Sequence, residues 1–275
     1  MTVPATATAA IVLAIAGAAF MFTSEARAQS PEEKGLAISI EADKRDLGFG
    51  DFQADGEMVL KDKGGRESRR VFQNLTLERA DPGLGDLGIV VFSKPRDIRG
   101  TALLTHGNIE PNDDDQWIFL PAVKRVKRIS SSNRTGKFVS SEFSYEDFGS
   151  QEVPDYDYKW LRDEPCPNQP SLTCFVVESY PKNPKSGYSK RIGWTDTEEY
   201  RLMQVEFYNR RGDHEKTLVF NGYQQYLGKY WRADEMRMEN VQTGKATDLI
   251  WTNYRFGSGL GENDFDPNRL KSISR

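Results

Sequence analysis

The sequence predicts a mainly β fold with a few helices (α+β), in which a large curved antiparallel sheet forms a half-open barrel covered by helices. Long stretches alternate apolar and polar residues with a period of two, which is typical of strands with one buried face. Short turns rich in Gly, Asp and Pro separate these stretches, so sequence neighbours are expected to pair antiparallel. There are few helix signals, and a sheet of about ten or eleven strands tends to curl or close.

A capping-box pattern predicts a helix that begins near residue 31. Ser30 is a good N-cap, Pro31 suits the first helical position, and Glu33 completes the box three residues after the cap. Gly48 supplies the stop signal. The apolar positions that fall near one face of this helix are Leu36, Ile40 and Leu47.

Strand-like segments occupy most of the remaining chain. Gly-containing turns such as Gly64-Gly65 divide them. The loosest region is Glu152 to Pro170, and Asn263 or Asp264 is placed to cap a short terminal helix that bears Phe265 and Leu270. No linker or internal repeat indicates a second domain, so one domain is expected over residues 29–275. The expected strands are 52–61, 69–78, 89–93, 98–105, one that begins at 117, 172–177, 201–209, 216–226, 230–241 and 247–256.

The composition is that of a soluble, globular protein. The 37 Lys and Arg residues nearly balance the 41 Asp and Glu residues, which leaves a net charge of −4. A dedicated nucleic-acid-binding domain is usually strongly basic, so we expect no nucleic-acid partner. The mean hydropathy of −0.65 excludes a protein with several membrane spans.

The long apolar segment of the chain lies near its N-terminus. Ala9 to Phe22 is followed by the small-x-small triplet Ala26-Arg27-Ala28. This pattern predicts that residues 1–28 are a cleaved signal peptide and that the mature protein is exported. A retained single-span anchor is the alternative, but the 14 apolar residues are fewer than the roughly 20 that a spanning helix needs.

Export changes the interpretation of the two cysteines, Cys166 and Cys174. An even number of cysteines in an oxidising compartment favours a disulfide over a metal site. The two residues would close a short loop that contains Pro167 and Pro170. A pair of reduced thiols is the alternative, and the spacing differs from that of a redox-active pair.

No constellation of residues predicts catalysis, a metal site or a cofactor. His106 and His214 each lie beside a turn, far from a second ligand or a nucleophile. The glycines of 83–88 match a dinucleotide-binding string, but a strand follows them where a helix is required. Residues 112–115 lack the spaced ligands of a calcium loop. We therefore expect a protein that is not an enzyme and that carries no cofactor or metal.

The densest basic run is a candidate contact for anionic head groups or for a partner. It consists of Lys124, Arg125, Lys127 and Arg128, with Arg134 and Lys137 nearby in the sequence. Anionic lipid surfaces attract such clusters. A solvated sheet edge, where Lys and Arg deter aggregation, explains the same run equally well.

Several segments in the middle of the chain match a known family pattern in both order and spacing. They are Phe92–Pro95, Ile98–Leu104, Gln116–Ala122, Arg125–Ile129 and Phe143–Asp147. In these segments the chain resembles the outer-membrane lipoprotein-sorting protein family, whose fold is similar to LolA and LolB. One departure is Ser140-Ser141, which stands where the family pattern has Gly-Ser.

The resemblance implies a half-open barrel with a helical lid and an apolar cavity. It implies a periplasmic carrier that binds lipid or lipoprotein acyl chains, with a possible inner-membrane transporter of the resistance-nodulation-division type as its partner. An accessory protein that docks on such a transporter, without binding lipid itself, is the alternative. Apolar residues that share a face within their strands are the cavity candidates, although a filled core would use the same residues. They are Phe52, Met58, Leu60, Val71, Leu75, Leu77, Trp117 and Phe119.

Overall fold

The computed structural model describes residue 1 and residues 29–81, 83–109 and 111–273. The expected signal peptide, residues 1–28, therefore lies almost entirely outside the described residues. Within the described part of the chain, no helix is long and apolar enough to cross a membrane.

Helix α1 (Pro31–Asp46) begins with the predicted capping box. The Ser30 hydroxyl accepts a hydrogen bond from the Glu33 amide at 3.1 Å, and the Ser30 amide donates to the Glu33 carboxylate at 2.8 Å. Gly48 follows the helix with a φ of 93°, a conformation that glycine adopts without strain. The helix thus starts and ends for the reasons that the sequence indicated.

Thirteen antiparallel strands form one continuous sheet in the described chain. They are β1 (Asp51–Lys61), β2 (Glu67–Leu77), β3 (Leu87–Lys94), β4 (Ala102–His106), β5 (Asp115–Leu120), β6 (Arg125–Ile129), β7 (Tyr156–Cys166), β8 (Gln169–Pro181), β9 (Tyr188–Asp196), β10 (Leu202–Asn209), β11 (His214–Tyr226), β12 (Tyr230–Asn240) and β13 (Lys245–Phe256). A second helix, α2 (Leu270–Ile273), ends the described chain. Short 3-10 helices lie at Pro121–Val123, Ser131–Asn133, Phe138–Ser140, Glu146–Phe148, Val153–Asp155, Glu262–Phe265 and Pro267–Arg269.

The strand order is β6-β5-β4-β3-β2-β1-β13-β12-β11-β10-β9-β8-β7. Every pair except β1–β13 joins sequence neighbours, as the short turns predicted. The β1–β13 pair, in which Met58 lies opposite Leu249, joins the N-terminal and C-terminal meanders into a single sheet. The edge strands are β6 and β7, and the segment 130–155 connects them along the chain. The predicted curved antiparallel sheet is therefore confirmed.

The prediction for residues 152–170 was wrong. This region, expected to be loose, contains β7 and its hairpin with β8. In the stretch Tyr-Asp-Tyr-Lys-Trp at the start of β7, aromatic and charged residues alternate, and the aromatic side chains are less exposed than the charged ones. The alternation is therefore a strand signal, but the many Asp, Tyr and Pro residues of the region obscured it.

Three apolar clusters stabilise the sheet. The largest includes Phe72, Phe92, Phe138 and Trp251 and lies on one face, between the sheet and the segment 130–155. A second cluster on the other face includes Leu104, and it is covered by Phe265 and Leu270 from the C-terminal residues. The terminal caps are Gly261 and Asp266 rather than Asn263 or Asp264.

The third cluster contains the predicted disulfide. Cys166 and Cys174 are bonded to each other and pack with Val176, Trp194 and Met203. The bond links β7 to β8 across their hairpin. It therefore fixes the edge strand β7 to the rest of the sheet.

Candidate functional site

A cavity of about 450 Å³ lies on the face of the sheet that carries the largest apolar cluster. Asn74 of β2 and Val177 of β8 both line it. These strands are seven positions apart in the sheet, a distance of roughly 34 Å if the sheet were flat. Their meeting at one small cavity shows that the sheet curls around it, as in a half-open barrel.

The walls of this cavity are largely apolar. They combine inward-facing side chains of β8 and β10–β13 with two rings from the segment 130–155. Such a surface favours hydrocarbon over water. The apolar lining residues are Phe143, Phe148, Val177, Leu202, Val205, Phe207, Leu218, Phe220, Met236, Leu249 and Trp251.

Helix α1 covers one side of the cavity. Ser39 contributes to the lining, and Gly35 lies against β7 so closely that a Cβ atom there would stand 2.7 Å from the Trp160 amide nitrogen. The Lys34 ammonium lies 3.6 Å from the centre of a Trp160 ring, a cation–π contact that holds the start of the helix on the same strand. The helix is therefore positioned as a lid.

Several large apolar residues in and next to α1 are exposed. Leu36 and Ile40 of the helix and Leu47 after it are 42, 48 and 52% exposed, whereas Gly35 and Ile38 are buried. The three exposed residues border a second groove of about 860 Å³, which carries nine carboxylates against Arg79 and Lys182. The helix thus packs through Gly35 and Ile38 and presents Leu36 and Ile40 to this acidic groove.

Asp147, which lines the cavity, belongs to a buried ion pair. The Lys216 ammonium on β11 lies 2.6 Å from the Asp147 carboxylate, and each side chain is only 5% exposed. Asp147 also accepts hydrogen bonds from the Ser144 amide and the Tyr188 hydroxyl, both at 2.7 Å. Burial disfavours the charged carboxylate, but Lys216 and these donors outweigh it and hold the pKa of Asp147 below its usual value.

Arg191 on β9 also lines the cavity, next to this pair. Its side chain is surrounded by aromatic rings, and its neighbour Tyr156 lines the cavity as well. Burial raises the pKa of the Tyr156 hydroxyl to about 12, so the ring is neutral at physiological pH. The charged side chains of the lining, Asp147 and Arg191, therefore lie near each other in a largely apolar cavity.

The structure divides the eight cavity candidates between the two faces of the sheet. Phe52, Met58 and Leu60 lie on the same side as the cavity, in or against the largest cluster, but none is among its lining residues. In the β1–β2 register, Met58 lies opposite Arg70, which places the odd-numbered residues of β2 on the other face. The candidates on that other face are Val71, Leu75, Leu77, Trp117 and Phe119, and the last four pack in or against the second cluster.

The basic run lies on an exposed sheet edge. Arg125, Lys127 and Arg128 belong to β6, which pairs with β5 on one side only, and Lys124 precedes it. Arg134 and Lys137 do not join them. Arg134 is buried and pairs with Asp113 and Asp114, and Lys137 pairs with Glu142. The candidate contact is therefore limited to the four residues 124, 125, 127 and 128.

Ser140, which stands where the family pattern has glycine, adopts a φ of 64°. Its neighbour Val139 has a φ of 41°. Residues other than glycine rarely adopt these angles. Ser140 therefore carries backbone strain that a glycine would avoid.

Each of the two histidines makes one hydrogen-bond contact. The His106 ring nitrogen lies 2.7 Å from the Phe265 carbonyl oxygen, and that of His214 lies 3.0 Å from the Thr217 hydroxyl. Among the described residues, no group of three or more His, Cys, Asp or Glu side chains is placed to bind a metal. Residues 83–86 lie in the loop between β2 and β3, as the sequence indicated.

Known proteins share this fold over most of the chain. No curated protein matches, and a family model described as an uncharacterized protein matches residues 85–272. An outer membrane lipoprotein-sorting protein domain from Vibrio parahaemolyticus is 48% identical, with a TM-score of 0.83 over 87% of this chain and 99% of that one. A DUF1329 family protein from Desulfovibrio piger is 27% identical, with a TM-score of 0.82 over 88% of this chain and 99% of that one.

A more distant structure extends the likeness in fold. A LolA superfamily protein from Nitrosomonas europaea is 22% identical, with a TM-score of 0.67 over 84% of this chain and 97% of that one. The 48% identity to the Vibrio domain, across nearly its whole length, exceeds what a shared fold alone requires. The chain belongs to the outer-membrane lipoprotein-sorting protein family and has its LolA-like fold.

Proposed function

We propose that the protein is a periplasmic carrier that holds a hydrocarbon tail, from a lipid or from the acyl chain of a lipoprotein, in the cavity beneath α1. The observation that carries the proposal is the curled sheet around a cavity of about 450 Å³ with eleven apolar side chains in its lining. Removing a tail from water yields about 0.8 kcal/mol per CH₂ group. The cavity is lined mainly by apolar side chains, which suits the transport of a hydrocarbon tail.

The size of the cavity favours one tail over several. Small-ligand pockets span roughly 300–1,000 Å³, and this cavity lies in the lower half of that range. The helix α1 contributes Ser39 to the lining, and its large apolar residues do not fill the cavity. We infer that a tail enters beside α1, between the helix and the segment 130–155.

The substitution Val205→Phe tests the cavity. The added ring occupies space that a tail would use, so we expect lipid loading to fall at least tenfold. Loading is measured by mass spectrometry of lipid extracted from protein purified from periplasm, and by titration with dodecanoate. Val91→Phe adds the same ring outside the cavity, against the second cluster, and should load normally.

Two results would count against the carrier function. One is wild-type protein that carries no lipid from the periplasm and binds no dodecanoate. The other is equal loading by both variants, each shown to be folded by circular dichroism.

A second candidate function is docking on an inner-membrane transporter of the resistance-nodulation-division type, or on anionic head groups, through the four exposed cations of the β6 edge. The observation that favours it is that the basic side chains of β6 project from a strand with an unpaired edge. Replacing all four residues (Lys124, Arg125, Lys127 and Arg128) by Gln should abolish co-sedimentation with vesicles containing phosphatidylglycerol, or pull-down of a transporter from detergent extracts. Lipid loading of the same variant should be unchanged.

A further inference from the structure

Arg191 is a buried cation with unused hydrogen-bond donors. The residue is only 8% exposed, and it lines the cavity. Its Nη1 donates to the side-chain oxygen of Gln151, another lining residue. Its Nε and Nη2 are buried and have no hydrogen-bond acceptor. Buried donors without an acceptor are costly and uncommon, so these atoms require an explanation.

The aromatic rings around Arg191 stabilise its charge but do not satisfy its N–H groups. The guanidinium carbon lies 5.2 Å from the Tyr156 ring centre, 5.1 Å from that of Tyr188 and 5.3 Å from that of Phe207. These contacts favour a cation over the ring faces. They do not supply an acceptor in the plane of the guanidinium, where its N–H groups point.

The two nearest carboxylates are engaged elsewhere. Glu146 lies 3.8 Å from Nη2, too far for a hydrogen bond, and it accepts from the Ser186 hydroxyl and the Gly187 amide instead. Asp147 is paired with Lys216. The positive charges of Arg191 and Lys216 balance the negative charges of Glu146 and Asp147. The Nε and Nη2 atoms of Arg191 nevertheless have no hydrogen-bond acceptor.

The position of Arg191 places it beside the apolar body of the cavity. It pairs directly with Phe207 across β9 and β10, and Gly193, two residues further on, pairs with Val205. Phe207, Gly193 and Val205 all line the cavity. A tail that lies along Val205 and Phe207 would therefore bring its head group to Arg191.

We propose that Arg191, oriented by the side-chain oxygen of Gln151, binds the carboxylate of a single-chain amphiphile whose tail occupies the cavity. The inference rests on the proposed carrier function and adds the chemical class of the ligand. A guanidinium presents parallel N–H groups that match the two oxygens of a carboxylate, and such charge-assisted bonds are stronger than neutral ones. The anion would fill the acceptor positions at Nε and Nη2 that the protein leaves empty.

Isothermal titration calorimetry with dodecanoate, 1-dodecanol and methyl dodecanoate tests whether Arg191 binds a carboxylate. Wild-type protein should bind dodecanoate at least tenfold more tightly than 1-dodecanol or methyl dodecanoate. Arg191→Met should reduce this preference to less than threefold while dodecanol affinity is kept. Arg191→Lys, which retains the charge but not the paired donors, should keep only part of the preference. Lys190→Met, a change at the adjacent residue, which is ion-paired with Glu178, should not alter it.

The outcomes separate this inference from the carrier function. Equal wild-type affinity for dodecanoate and dodecanol, or a preference for the methyl ester, would overturn the role of Arg191 and leave hydrocarbon binding standing. Failure of all three ligands to bind would instead overturn both. If Arg191→Met does not fold, Gln151→Leu should lower the preference for dodecanoate several-fold, and an unchanged preference there would refute the proposal.

Discussion

Lys216→Met is expected to lower the free energy of unfolding by about 3–5 kcal/mol, because it leaves the buried Asp147 carboxylate without its cation. The Lys216 ammonium lies 2.6 Å from Asp147 and 3.2 Å from the Glu142 carbonyl oxygen. Both contacts join β11 to the segment 130–155. The substitution therefore weakens the attachment of the segment 130–155 to the sheet. It also leaves the charge of Asp147 unpaired in an apolar environment. Urea unfolding followed by circular dichroism measures the change.

A matched control distinguishes burial from charge alone. Arg211 pairs with Asp213 at 3.1 Å, but the Arg211 side chain is 79% exposed. Arg211→Met should therefore change stability by less than about 1 kcal/mol. The double variant Lys216→Met/Asp147→Asn removes the unpaired charge and should recover at least half of the loss. A Lys216→Met variant as stable as Arg211→Met would show that this pair does not stabilise the fold.

The sequence-based prediction succeeded where the signal is local. The capping box at Ser30 and Glu33 and the hairpin turns depend on residues a few positions apart, and all are present in the structure. The strand β9, which carries Arg191, was not predicted, and nor was β7. In β9 the buried side chains include the charged Arg191 and Asp196, so polarity does not mark the inner face. In β7 aromatic and charged residues do alternate, but the many Asp, Tyr and Pro residues of that region favoured a loop.

The cavity could not be predicted because its lining depends on which residues of neighbouring strands face the same side of the sheet. Alternation shows which residues of one strand share a face, but the face that matches in the next strand is set by the turn between them. The turn at residues 62–66 places Met58 opposite Arg70, so the apolar Val71 and Leu75 point away from the cavity. In the same way, nothing in the sequence separates Arg191 from the other cations of the chain.

Asp86→Asn is expected to stabilise the protein by about 2 kcal/mol at pH 8 and to have little effect near pH 4. Asp86, at the edge of the acidic groove, is half-buried beside Glu152 and Glu78. Burial and these neighbouring carboxylates raise its pKa to about 7. A pKa shift of one unit corresponds to about 1.4 kcal/mol. We expect only about 2 kcal/mol, less than the full shift would give, because water screens the exposed part of the carboxyl group.

The sign of this effect follows from proton binding. Between about pH 4 and pH 7 the folded protein holds a proton on Asp86 that the unfolded chain has released, so the contribution of this group to stability falls as the pH rises. Asparagine carries no charge at any pH, so the variant lacks the loss of stability that Asp86 causes as the pH rises. Urea unfolding at pH 5, 6, 7 and 8 should therefore show a difference between variant and wild type that grows with pH. Asp157→Asn, at a side chain that is 77% exposed, is the matched control. A difference for Asp86→Asn that stays constant with pH would refute the raised pKa.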